Sequence, residues 1–190
     1  MFTQSRLAGA MGGSRMTLHR KGVTRELVIE LLRTQAAEEY QLAVWPAMTS
    51  TGTAAERLEL VLEAICKVAD HWRDLLVGLF AEDGGVFHDP DQADDASGQD
   101  AAIATRAVFV DPLARLLRDG AQDGSLAVDD DPERVATVLF NQVGWTFLAL
   151  RVGQRWPGDQ ATSSVVNMAL RAVLSADADA DRAVGRRTGA

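Results

Sequence analysis

Residues 7–27 read "LAGAMGGSRMTLHRKGVTREL", a basic stretch at the start of an acidic chain. The 190-residue protein has a net charge of −8. Within residues 1–25, however, Arg6, Arg15, Arg20, Lys21 and Arg25 stand without a single acid. An acidic body with one basic end keeps most of its surface away from a polyanion and offers that end to it. The local pattern gives the basic end a shape. Residues 5–11 suit a short helix that Gly12-Gly13 stops. Ser14 suits the N-cap of a second short helix over 15–21, ended by Gly22. Thr24 then caps a longer helix carrying Leu27, Val28, Leu31, Leu32 and Ala36 along one face.

Two short helices joined by a glycine turn, with the bases on the second, form a helix-turn-helix. Its second helix enters the major groove while the first braces it across the backbone. On such a helix Arg15, His19 and Arg20 can share an exposed arc, while Met16 and Leu18 can pack inward. Arginine can make paired hydrogen bonds to a guanine edge, and Thr17 can touch a thymine methyl or a phosphate. Arg25 sits in the first turn of a helix, where a cation opposes the dipole. Beside Thr24 it makes sense against a phosphate, which backbone N–H groups and the guanidinium would hold together.

The remaining chain reads as helix throughout. Alanine, leucine and valine dominate, favouring helix over sheet. "TSTGT" (49–53) is a loop after a Trp45-Pro46 helix end, and Thr53 opens the clearest helix. Its apolar residues from Leu58 to Phe80 follow a helical period, with a bend or split expected near Asp70–Trp72. Residues 82–100, rich in acids and glycine, read as a loop. A helix over 101–118 is expected to break at Gly120 and Gly124. Asp131 as N-cap, Pro132 in the first turn and Glu133 behind it start another, running to about Arg151. "WPGD" (156–159) turns into a last helix over 160–174.

Cys66 is the single cysteine and lies in an apolar run, as a buried, inert thiol would. No disulfide is possible within the chain, and no uninterrupted apolar run approaches ~18 residues, so a cytoplasmic protein without a membrane partner is expected. His19, His71 and His88 lack metal-ligand spacing, and no nucleophile–base pair stands out. No metal, no cofactor and no enzymatic activity are expected.

"RLAGAMGGSRMTLHRKGVTRELVIELL" resembles the DNA-binding end of the tetracycline-repressor (TetR) family of transcriptional regulators. There a motif of the form IAxxAGVSxxTLYxHFxSKEAL spans the second helix, the recognition helix and the start of the fourth. Leu7-Ala8, Gly12 or Gly13, Ser14, Thr17-Leu18 and Thr24-Arg25-Glu26 match it. His19 replaces the usual aromatic, and Gly22 the usual phenylalanine. Only "MFTQS" precedes the motif, so the first helix of the three-helix unit is expected to be missing. "FNQVGWTFLALRVGQRW" (140–156) resembles the family's penultimate helix.

The resemblance implies an all-α protein in which a truncated helix-turn-helix unit precedes a larger helical ligand-binding and dimerisation domain. The division expected is 1–45 for DNA binding and the connecting helix, 46–175 for the helical domain and 176–190 for a flexible tail. Double-stranded operator DNA would meet Ser14, Arg15, Thr17, His19, Arg20, Lys21, Thr24 and Arg25. A small, mostly apolar effector would lie among Trp72, Phe80, Phe109 and Trp145. A homodimer would join through Val135, Leu139, Val143, Phe147, Leu150, Val166, Leu170 and Val173. The function implied is that of a repressor released by its effector. The alternative is a helical dimer that does not bind DNA and holds a small molecule or a partner protein.

Overall fold

The computed structural model describes residues 25–77 and 106–176. Five helices make up this body: α1 (Arg25–Thr49), α2 (Ala54–His71), α3 (Asp111–Asp123), α4 (Pro132–Leu148) and α5 (Gly158–Arg171), with a π-helical turn (Ala149–Gly153) between the last two. An isolated antiparallel bridge, Leu126 to Leu174, is the one β-type pairing among the described residues. The all-α expectation holds.

α2 is the central post and touches α1, α3, α4 and α5. Its buried residues, among them Leu58, Val61, Leu62, Ile65, Cys66 and Ala69, cover most of its circumference. Only a stripe at helical spacing, Glu56, Leu60, Glu63, Lys67 and His71, stays exposed. Each fully buried leucine contributes roughly 1.5–3 kcal/mol of transfer free energy. Leu58, Leu62, Leu113, Leu116, Leu117 and Leu170 are all in that state.

The start of α2 is capped from two directions. Thr53 and Glu56 form a capping box, in which each side chain bonds the other's backbone N–H. The first helical N–H groups are met from 70 residues away: Ala54 donates to Asp123 at 2.7 Å and Ala55 to the Ser125 hydroxyl at 3.1 Å. The loop after α3 therefore finishes the end of α2.

Three boundaries differ from the sequence reading. Pro46 does not end α1, which continues to Thr49. A proline this near a helix end forgoes one bond to a carbonyl a turn earlier. The following carbonyls find donors: Thr49 and Ser50 bond those of Trp45 and Pro46, and Arg57 Nε bonds that of Ala47 at 3.1 Å. The division expected at residue 45 thus falls inside a continuous helix. Gly120 does not break α3 either; it lies buried within it, and Gly124, at φ 77°, ends it. The helix expected over 101–118 is interrupted at Val110, between a helical turn at 106–109 and α3.

Other expectations match. α2 ends at His71, Trp72 interrupts it, and residues 73–77 are helical again. Asp131 accepts from the Glu133 N–H at the start of α4, with Pro132 first in the helix. By length and composition Pro132–Gly153 is apolar enough to cross a bilayer, at a mean hydropathy of 1.3. Counting only uninterrupted apolar residues does not register this. Its inward face packs on α2, α3 and α5.

Candidate functional site

α1 carries one end of the site. Its C-terminal half is locked into the body by Tyr40, Val44 and Ala47, all buried. Tyr40 anchors it most firmly. Its ring packs on Phe109 at 4.9 Å and edge-on to Phe140 at 6.1 Å, and its hydroxyl donates to the Phe109 carbonyl at 3.2 Å. Burial raises the Tyr40 pKa well above the ordinary phenol value, so the hydroxyl stays a donor. The N-terminal half differs, with Leu27 and Leu31 exposed.

Across the outside of α2, between α1 and α5, runs an open cleft of about 1060 Å³. Leu42, Ala43 and Pro46 line it from α1, Leu60, Glu63, Ala64 and Lys67 from α2, and Asp159 and Thr162 from α5, with Phe147 and Cys66 beneath. The cleft therefore has an apolar floor and a rim of mixed charge. Burial pushes the Cys66 thiol up to about 12, against a smaller lowering by its hydrogen bond with Thr162. It is therefore a packed, protonated group.

Asp70, His71 and Arg73 close one end of the cleft. Arg151, on the π-helical turn, grips Asp70 with two bonds, Nε to Oδ1 at 2.8 Å and Nη2 to Oδ2 at 3.3 Å. Its third nitrogen bonds the Trp156 carbonyl. Arg73 adds a bond to Asp70 at 3.2 Å. The Arg151 guanidinium holds the Asp70 carboxyl below its usual value despite partial burial, and Arg73 assists. Arg151 rises in turn through the same contact.

The expected site residues fare unequally. Ser14, Arg15, Thr17, His19, Arg20, Lys21 and Thr24 lie outside the described residues, as does Phe80. Arg25 opens α1, though its side chain is likewise outside the description. Trp72, Phe109 and Trp145 are partly buried against the core and do not line the cleft. Phe109 belongs to the Tyr40–Phe140 ring cluster. Trp72 is committed to Glu39, to which its indole N–H donates at 2.9 Å.

Most of the expected interface set lies inside the single chain. Leu139, Val143, Phe147, Val166, Leu170 and Val173 are buried within the chain and leave no surface for a second copy. Val135 and Leu150 are half-buried against the same core. The outward faces of α4 and α5 instead show Val138 and Met168, 62% and 64% exposed.

No protein-family model and no curated protein matches the sequence. Solved structures do. The ketosteroid transcriptional regulator KstR2 of Mycobacterium tuberculosis superposes at a TM-score of 0.67 and 17% identity, over 92% of this chain and 85% of its own. PfmR of Thermus thermophilus, a TetR-family transcriptional regulator, gives 0.64 and 17% over 90% and 88%. AibR, solved with isovaleryl coenzyme A and operator DNA, gives 0.64 and 15% over 88% and 86%. The chain has the TetR fold. On that fold the elements after α1 form the helical body, and the resemblance first seen in residues 7–27 extends to the architecture of the described chain. The cleft was not legible because its walls come from three helices far apart in sequence. Asp70 and Arg151 are 81 residues apart. The π-helical turn that aims Arg151 has no sequence signature.

Proposed function

We propose that this chain is a dimeric, ligand-responsive transcriptional regulator, a repressor that leaves operator DNA when a small, mostly apolar effector binds. The observation that carries the reading is α1. It begins at Arg25, directly after the basic segment, and its last turns are buried in the helical body. A continuous 25-residue helix therefore connects the region expected to meet DNA with the region expected to meet ligand. AibR, which has the same fold, was captured with both kinds of partner. The open cleft, walled on one side by α1, offers the effector an apolar floor of suitable volume.

Dimerisation fits the surplus of apolar surface on α4. Only 33% of its most apolar window is buried in the single chain. Val138 on α4 and Met168 on α5 would form part of a two-fold contact between these helices and their copies. Two recognition helices would then read two half-sites.

The test is a mobility-shift assay with the DNA upstream of the chain's own coding sequence. Binding should weaken steeply with salt, as counterion release requires. Arg15→Ala and Arg20→Ala should each weaken it. Wild-type affinity in both variants would remove these arginines from the interface, and no shift at low salt would defeat the regulator reading.

A further inference from the structure

Three consecutive residues at the C-terminal end of α2 are bonded to different parts of the molecule. Asp70 is held by Arg151 of the π-helical turn, which also bonds the Trp156 carbonyl just ahead of α5. His71 Nδ1 lies 3.4 Å from Glu39 Oε1, and Trp72 Nε1 donates to Glu39 Oε2 at 2.9 Å. Glu39 sits on α1, next to the Tyr40 anchor. Polar contacts therefore tie the entry of α5 to Asp70 and α1 to His71 and Trp72, and the backbone of residues 70–72 joins the two sets. Both outer links are partly buried, with Arg151 20% and Glu39 35% exposed at the side chain.

The backbone suits this place to a coupling role. Trp72 has φ −94° and ψ 9°, which interrupts the helix between Asp70 and residues 73–77. Both links are also geometrically demanding. A paired guanidinium–carboxylate contact and an indole–carboxylate bond weaken within a few tenths of an ångström of misalignment. We propose that Asp70–His71–Trp72 is a coupling joint: movement of the π-helical turn and the start of α5, or occupation of the cleft end that Asp70 and His71 border, changes how firmly α1 is held through Glu39. The joint deepens the regulator reading, since α1 follows the basic segment. It is nonetheless a property of the free chain and can be tested without DNA.

Hydrogen exchange read by mass spectrometry on the full chain provides the test, using Arg151→Gln, Trp72→Phe and the double variant. Trp72→Phe keeps the ring and removes the indole donor. Each single variant should speed exchange in peptides from residues 25–42 by about fivefold, the effect of losing one partly exposed charge-assisted bond. The double variant should be no faster than Trp72→Phe alone, because both changes break one chain of contacts. Independent structural roles would instead multiply to about 25-fold. That result, or acceleration confined to residues 149–158 in Arg151→Gln, overturns the proposal. Peptides from α3 report global opening, and Arg151→Lys replaces Arg151→Gln if the latter does not fold. Additive exchange in a chain that still shifts operator DNA removes the joint and spares the regulator reading. Non-additive exchange in a chain that ignores DNA does the reverse.

Discussion

Gly120→Ala puts the packing at the end of α3 to a sharp test. In an ordinary helix interior the change is stabilising by up to about 1 kcal/mol, because alanine has the higher helix propensity. Here the added Cβ would stand 2.4 Å from Leu126 Cδ1, 2.5 Å from its Cγ and 2.7 Å from its Cβ. A new rotamer can move the first two atoms but not the third. Leu126 cannot retreat as a whole. Its N–H donates to the Gly120 carbonyl at 3.1 Å, its neighbour Ala127 bonds the Val173 carbonyl at 2.8 Å, and its side chain is buried. Overpacking of this kind costs about 1–3 kcal/mol, and contact with the root of the side chain points to the upper part of that range. Set against the propensity gain, the net loss is about 1–2 kcal/mol. For a chain of this size that lowers Tm by about 5 °C. Thermal melts followed by circular dichroism at 222 nm give the answer. Leu126→Ala alone should destabilise through the cavity it leaves, and adding Gly120→Ala to it should cost less than in the wild-type background, since only the Cβ contact at 2.7 Å persists. An unchanged or higher Tm for Gly120→Ala in the wild-type background would refute the close packing.

Other outcomes follow from contacts already described. Asp123→Ala leaves the first N–H of α2 without its acceptor and should cost about 1–2 kcal/mol in denaturant unfolding, with the midpoint lowered and m unchanged. Asp70 and Asp123 both have carboxyl pKa values below their ordinary value of 3.8. Asp70 owes this first to Arg151; for Asp123 burial acts upward but is outweighed by bonds from Ser125 and Ala54. A folded-state pKa below the unfolded one gives stability that is full above the unfolded value and lost as pH falls through the folded one. Stability should therefore drop between about pH 5 and the lowered values, with a shallower slope in Asp70→Asn. Val138→Glu should shift the chain toward monomer in sedimentation velocity without changing its Tm appreciably. Leu139→Ala should do the opposite, losing about 2–5 kcal/mol of stability as a core truncation.

The sequence is most readable where a feature depends on neighbours along the chain. Thr53 with Glu56, Asp131 with Pro132 and Glu133, and the interruption near Trp72 are such cases, since caps and helix breaks are written in a few adjacent residues. It misleads where the deciding partner lies elsewhere. Pro46 looks like a terminator because the donors that satisfy the carbonyls around it, including Arg57, belong partly to the next element. Gly120 looks like a breaker because nothing adjacent in sequence shows that Leu126 fills the space beside it. α4 is apolar on more than one face, so periodicity alone does not say which face turns inward. That is why buried Leu139 and Val143 and exposed Val138 look alike from the sequence. Trp72 suggests a pocket lining by its aromatic character, and its indole N–H is instead tied to α1.

The long first helix also has a mechanical consequence. From the Tyr40 anchor to Arg25 is about 15 residues, or roughly 22 Å at ~1.5 Å of rise per residue. With Tyr40 as fulcrum, a tilt of about 10° would carry the far end through about 4 Å, close to the ~3.4 Å spacing of successive base pairs. If the chain acts on DNA as proposed, a lever of this length would turn a side-chain-sized adjustment inside the body into a whole step along a groove.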